Sequence, residues 1–253
     1  MPLTLLTATS EKIVGPEVER RIREAMEATG RAVLLVPSFP QALDAQRELA
    51  VMGGLALGVT VTTVEAWAEE RWEVWGDGSR LVDDASRDVL ASRVLARAAW
   101  RPGSALVDTP GAAALLADLA REGLPWLASA PAPEGVTGAE AALVGLLAGY
   151  EAELRSRGLV EPCSAMAGLA EALDAGGALV PPVVLAGFED MGRSQRELVC
   201  GLASKHDVTL VAREGEGPSG AQGRRLVRQV CDLAAQRGVE VSASSPEVPV
   251  GPG

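Results

Sequence analysis

Ala32-Val33-Leu34-Leu35-Val36 is an unbroken apolar run of strand length, closed by Pro37. No polar residue alternates along it, so neither face is written for water. A strand covered on both sides belongs to a parallel sheet with helices above and below. Pro37 cannot donate to a sheet ladder and ends the strand, and a helix is expected over residues 41–51.

Working outward, residues 3–8 form a second short apolar strand. Beyond it, Gly15-Pro16 places a proline where it suits the first turn of a helix. In that helix Val18, Ile22, Ala25 and Met26 fall at i, i+4, i+7 and i+8. On the other side, residues 58–62 read as a third strand. Thr62 and Glu65 there form a capping box for a helix that runs to Trp75. Strands alternating with helices in this way imply an α/β sandwich.

The signal changes over residues 81–175 to helix after helix. Ala112, Leu115, Leu116 and Leu119 keep helical spacing, as do Leu143, Leu146, Leu147 and Tyr150, and Met166, Leu169, Ala170 and Leu173. Thr109-Pro110 is a cap and first-turn pair for one of these helices, and residues 129–138, rich in Pro, Ala and Gly, read as a loop. Strands then return at residues 183–186, 208–211 and 239–241, separated by helices over 194–204 and 224–236. The expected organisation is an α/β domain begun over residues 1–80, a helical insertion over 81–176, completion of the α/β domain over 177–242, and a flexible tail over 243–253.

The 253 residues are 47% hydrophobic, enough for a substantial core. The formal net charge of -11 argues against strong autonomous binding to a phosphate backbone, although local basic patches stay open. Cys163, Cys200 and Cys231 are isolated and His206 is the single histidine, so neither a zinc site nor a disulfide framework is indicated and reduced thiols are expected. No window offers about 18 uninterrupted apolar residues, and no charged segment leads into an apolar stretch with a cleavage site. A soluble cytoplasmic protein without membrane association is expected.

Three stretches resemble a known family. The first is Val33-Leu34-Leu35-Val36-Pro37 with Val59-Thr60-Val61-Thr62-Thr63 leading to Ala66-Trp67-Ala68. The second is Tyr150-Glu151-Ala152-Glu153-Leu154 ahead of Gly158-Leu159-Val160-Glu161-Pro162. The third and most specific runs from Val183 through Gly187-Phe188-Glu189-Asp190-Met191 to Gln195-Arg196-Glu197-Leu198. Together they resemble the N-terminal helicase-like domain of the B subunit of AddAB-type helicase-nucleases, a relative of the UvrD-like helicases. The resemblance implies a RecA-like, P-loop-type parallel sheet carrying an inserted helical subdomain. It also implies an A-type partner subunit and DNA as partners, within a complex that repairs double-strand breaks.

A working phosphate-binding loop needs G-x-x-x-x-G-K-[ST], because glycines let amides approach the phosphates, lysine neutralises them and the hydroxyl holds magnesium. The corresponding connection reads Thr7-Ala8-Thr9-Ser10-Glu11-Lys12-Ile13-Val14-Gly15-Pro16. Lys12 has no glycine before it and no hydroxyl after it, Glu11 and Glu17 repel phosphate, and Pro16 supplies no amide. The acids that would hold magnesium are displaced past the strand end as Glu189 and Asp190. Thr9, Ser10, Lys12, Glu189 and Asp190 are therefore expected to be a vestigial nucleotide site, with no catalytic residue, no metal and no cofactor.

Arg20, Arg21 and Arg23 on one helix, and Arg224, Arg225 and Arg228 on another, are candidate DNA contacts or solvated helix faces. Trp67, Trp72 and Trp75 are expected in the core or at an interface, with stacking on bases as the alternative. The expected function is a noncatalytic helicase-like domain that scaffolds a partner motor and contacts DNA. Two alternatives stand beside it. One is a residual Mg-ATP-dependent enzyme using Thr9, Ser10, Lys12 and Asp190. The other is a protein-interaction module without a nucleic-acid role.

Overall fold

The computed structural model describes residues 3–8, 10, 12–52, 57–99, 108–128, 138–213 and 218–244. Its elements run β1 (Leu3–Ala8), α1 (Pro16–Thr29), β2 (Ala32–Val36), α2 (Phe39–Val51), β3 (Val59–Thr63) and α3 (Val64–Trp75). There follow β4 (Arg80–Leu81), α4 (Asp84–Ala99), α5 (Pro110–Leu127), α6 (Gly138–Arg155), β5 (Leu159–Val160) and α7 (Pro162–Ala175). The chain then continues through β6 (Val183–Ala186), α8 (Arg193–Ala203), β7 (Val208–Arg213), α9 (Pro218–Gln236) and β8 (Val241–Ser244). The chain separates into two compact units, Met1–Trp67 with Leu173–Gly253, and Ala68–Ala172.

The first unit is an α/β sandwich of the RecA-like kind, built on a six-stranded sheet in the order β3-β2-β6-β7-β1-β8. Every neighbouring pair is parallel. All five residues of β2 are buried, with Leu34 and Val36 at 0% exposure, as an unbroken apolar run requires. Leu6, Ala8, Leu34, Val36, Val184, Ala186 and Val211 turn to one face of the sheet. There they pack with Val18, Ile22 and Ala25 of α1 and Ala42, Ala45 and Leu49 of α2. The connections β6 to β7 and β7 to β8 run the other way across the sheet, so right-handed crossovers place α8 and α9 on the opposite face.

One polar residue sits inside this layer. Thr209 of β7 is 1% exposed and accepts from Nε and Nη2 of Arg21 at 3.0 and 2.9 Å. Arg21 also pairs with Asp207 at 3.1 Å and Glu24 at 2.7 Å, fastening α1 to the start of β7.

Several boundaries differ from the sequence reading, each for a local reason. Strand β3 runs one residue further than expected, so Thr63 rather than Thr62 caps α3, accepting from the amide of Ala66 at 3.2 Å. The last strand is Val241–Ser244, not 239–241, so residues 243 and 244 belong to the sheet rather than to a loose tail. Val239 instead closes the end of α9: Gly238 takes φ 67° and the Val239 amide returns to the Ala234 carbonyl at 2.9 Å. Helix α9 begins at Pro218, six residues before the expected start, because proline suits a first turn. Residues 129–137, expected as a loop, and 245–253 of the expected tail lie outside the described residues.

The second unit packs α4, α5 and α6 around Leu90, Val94, Leu116, Leu124, Leu147, Tyr150 and Leu154. Thr109 caps α5 as expected, accepting from Ala112 at 3.2 Å. The face of α5 is rotated from the expected stripe: Ala113, Leu116, Ala117, Ala120 and Leu124 point inward, while Leu115 is 56% exposed. Small alanines let neighbouring helices approach, and the larger leucine on the adjoining face is left to water. A short parallel pairing of β4 with β5, which periodicity did not signal, brings Arg80 and Leu81 beside Leu159 and Val160.

At the heart of this unit lies a charged cluster. Arg87 and Glu161 are 2% and 0% exposed. Nε of Arg87 donates to both carboxylate oxygens of Glu161, at 3.0 and 3.1 Å, and Nη2 donates to Oε2 at 3.0 Å. The Tyr150 hydroxyl donates to Glu161 Oε1 at 2.6 Å, and Asp84 takes the remaining end of the guanidinium. Burial, and then this bond to Glu161, push the Tyr150 hydroxyl well above its ordinary range.

Trp67 and Trp72 are buried, as expected for core residues. Among the described residues no helix is long and apolar enough to cross a membrane. All three cysteines are free; Cys163 and Cys200 are buried, which pushes each thiol up to about 11, and Cys231 is half-buried.

Two outcomes follow from these contacts. Glu161→Ala leaves a guanidinium inside the helical unit without its main counter-charge and is expected to cost about 3–5 kcal/mol in urea denaturation. A loss below about 1 kcal/mol would show that Asp84 alone satisfies Arg87. In a thiol titration of the native protein at pH 8, Cys231 is expected to react while Cys163 and Cys200 wait for denaturant; fast reaction of all three overturns the burial argument.

Candidate functional site

Open parallel sheets bind ligands outside the carboxyl ends of their strands, where adjacent chains leave in opposite directions. Here β1 and β7 are such a pair, as are β2 and β6. From β1 the chain turns toward β2, and from β7 it turns toward β8. The structure brings Ser10 and Lys12, after β1, and Glu189 and Asp190, after β6, to this same edge. Thr9 lies outside the described residues.

Among its described residues, the connection from β1 to α1 turns inward at Ile13 and Val14. Val14 is 1% exposed and belongs to the core cluster, with Ile13 packed beside it. The Val14 amide donates to Oε2 of Glu48 on α2 at 2.8 Å. The Lys12 amide donates to the Ser10 hydroxyl at 3.1 Å. Gly15 is needed where it stands, since a Cβ there would lie 2.9 Å from that of Ser10.

A phosphate loop presents its amides to an anion. In this chain the Val14 amide already holds a carboxylate, the Lys12 amide holds a hydroxyl, and Pro16 has none. The first turn of α1 carries Glu17 and Glu19, whose charges complement the helix dipole from within. Oε2 of Glu17 is itself buried without a hydrogen-bond partner among the described residues. An incoming phosphate would meet negative charge where a nucleotide-binding loop offers donors.

The acids beyond β6 are also engaged locally. Gly187 takes φ 81°, a left-handed conformation that suits glycine, and turns the chain between Ile13, Pro37 and Gln41. Phe188 and Met191 then enter the core at 2% exposure each. Between them, Asp190 Oδ1 accepts from the Met191 amide at 2.8 Å, and Glu189 lies 4.0 Å from Arg213 at the end of β7. Gln195 ties the start of α8 down, accepting from the Gly192 amide at 2.8 Å and donating to Glu65. Among the described residues no group of three or more His, Cys, Asp or Glu side chains is placed to hold a metal ion.

The basic candidates divide. Arg20 pairs with Glu24 and Arg23 with Glu19, both at 2.6 Å, and Arg21 is committed to Thr209, Asp207 and Glu24. Arg224, Arg225 and Arg228 lie exposed on α9. His206 is partly buried just before β7, and that burial lowers its pKa below the ordinary imidazole value.

Sequence reasoning missed Glu48 because nothing in its own helix marks it: the Val14 amide it holds is 34 positions away. It also missed the open cleft of about 470 Å³ in the helical unit, which is lined by Trp72, Asp77, Ser79, Glu151, Glu161 and Ser164 among others. No family model and no curated protein matches the chain.

The contact between Glu48 and Val14 sets a measurable expectation. Glu48→Ala leaves a buried amide without its acceptor and is expected to cost about 1–3 kcal/mol by chemical denaturation, while Glu48→Gln, which keeps an acceptor oxygen, costs less. Equal stability of all three proteins would show that the loop does not depend on this bond.

Proposed function

We propose that this chain is a noncatalytic helicase-type domain that scaffolds a partner motor and handles DNA during double-strand-break processing. The observation that carries the reading is the fate of the loop after β1. In a sandwich of this kind that loop cradles the nucleotide phosphates, and here its Val14 amide is held by Glu48 while Val14 itself is buried in the core.

Three further points support it. The first turn of α1 is acidic and opens with proline. Asp190 serves the turn into α8, and Glu189 lies near Arg213 at the end of β7. The stretches that resemble the B subunit of AddAB-type helicase-nucleases supply the choice of process and partner: an A-type subunit carrying the motor, and DNA. Mg-ATP has no assigned role in this chain.

Titration with a fluorescent ATP analogue and magnesium, competed by unlabelled ATP, tests the reading. No competable binding up to millimolar nucleotide is expected, and Lys12→Ala should change nothing. Competable binding at micromolar concentration, weakened by Lys12→Ala, would replace the scaffold by a residual nucleotide-dependent enzyme.

A further inference from the structure

The helical unit gathers three arginines on one carboxylate. Arg93 Nε and Arg97 Nη1 on α4 lie 3.6 and 3.1 Å from the two oxygens of Glu153 on α6, and Arg157, just past the end of α6, reaches Oε1 at 2.8 Å. Arg157 also donates to the Glu153 carbonyl at 2.9 Å, which fixes its direction. Among the described residues none of the three has an ion pair with any other acid.

Elsewhere the pairings are of one or two arginines to a carboxylate: Arg193 and Arg237 meet at Glu197, Arg20 and Arg21 at Glu24, and Arg87 and Arg121 at Asp84, while Arg23 faces Glu19, Arg47 faces Asp44 and Arg155 faces Glu151. At Glu153 three positive charges share a single negative one, on a chain whose net charge is -11. Arg93 and Arg97 keep about half of their side-chain surface open, at 51% and 52%, and Arg157 keeps a third. The hydrogen bond from Arg157, followed by the fields of Arg157 and Arg97, holds the Glu153 carboxyl below its ordinary range.

A fold has no need to hold like charges together. Surface ion pairs contribute little, and the second and third arginines add mutual repulsion that a further anion relieves. Guanidinium forks match phosphate oxygens in pairs. Arg93 and Arg97 stand one helical turn apart on α4, and both guanidinium groups turn to the one carboxylate of Glu153, so the positive charge is gathered at one place.

We propose that Arg93, Arg97 and Arg157 form a contact for the phosphate backbone of a nucleic-acid strand, with Glu153 as the positioning residue that orients their guanidinium groups. The choice of nucleic acid as the polyanion rests on the DNA-handling reading above; the excess of arginine over carboxylate at this point does not.

Fluorescence anisotropy with a labelled single-stranded oligonucleotide across a salt series tests it, using the full chain, R93A/R97A and the control R20A/R23A. Thermal melts verify that each variant is folded. The parent is expected to bind with a falling log K against log salt, and R93A/R97A to flatten that slope by about 1.4, at about 0.7 per lost single-strand phosphate contact. R20A/R23A should leave it unchanged. If R93A/R97A fails to fold, R97Q carries the test, with a flattening of about 0.7. A parent slope that survives R93A/R97A overturns the site but leaves DNA handling intact. No salt-dependent binding by the parent removes both. Competition by polyglutamate as strong as by unlabelled oligonucleotide, lost in the same variant, would make the partner an acidic protein surface and overturn the nucleic-acid assignment.

Discussion

Strand β2 has no side that water can reach. Its five residues are buried, so every backbone amide and carbonyl must be satisfied by neighbouring strands, and both faces must be covered by helices. The pairings with β3 on one side and β6 on the other meet the first demand. The second is met on one face by α1 and α2, whose apolar stripes share a core with Leu34 and Val36. Because the connections reverse direction at β6, α8 and α9 go to the opposite face, and the loops that could bear function collect at the carboxyl ends of the strands.

What happens at those ends is the chemical turning point of the molecule. A β–loop–α connection leaves amides that seek an acceptor, and a nucleotide is one way to provide it. Here Glu48 provides one from within, while Val14 and Ile13 draw the loop onto the core. The same substitution of internal for external partners recurs beyond β6, where Asp190 accepts from the Met191 amide. Stability and nucleotide binding compete for the same donors, and in this chain the donors serve the fold.

The helical unit follows a different rule. Within its apolar core lies a charged cluster: Arg87, Glu161 and Tyr150 satisfy one another, and exposed Asp84 takes the outer end of the guanidinium. Each bond to Glu161 joins two elements, so the cluster ties α4, α6 and the start of α7 together, and removing one partner would leave the others buried without it. At its surface the charges are unequal, and the surplus around Glu153 is the feature for which the packing offers no internal use.

The sequence by itself determined the elements whose environment is uniform along their length. Ala32–Val36 and Val183–Ala186 are legible as doubly covered strands because burial on both faces removes every polar residue. The stripe of Val18, Ile22 and Ala25 is legible because one helical face meets one core. The departure of the loop after β1 from the G-x-x-x-x-G-K-[ST] pattern is also legible, since it depends only on the residue types present. Only the tertiary structure decided which partners those residues took. Glu48 reaches Val14 across 34 positions, Arg87 reaches Glu161 across 74, and Arg97 reaches Glu153 across 56. Val239 closes a helix instead of opening a strand because Gly238 turns its amide back to Ala234. Periodicity records which face of an element is apolar, but a contact between distant charges leaves no period in the chain, and it exists only once the packing has brought the two elements together.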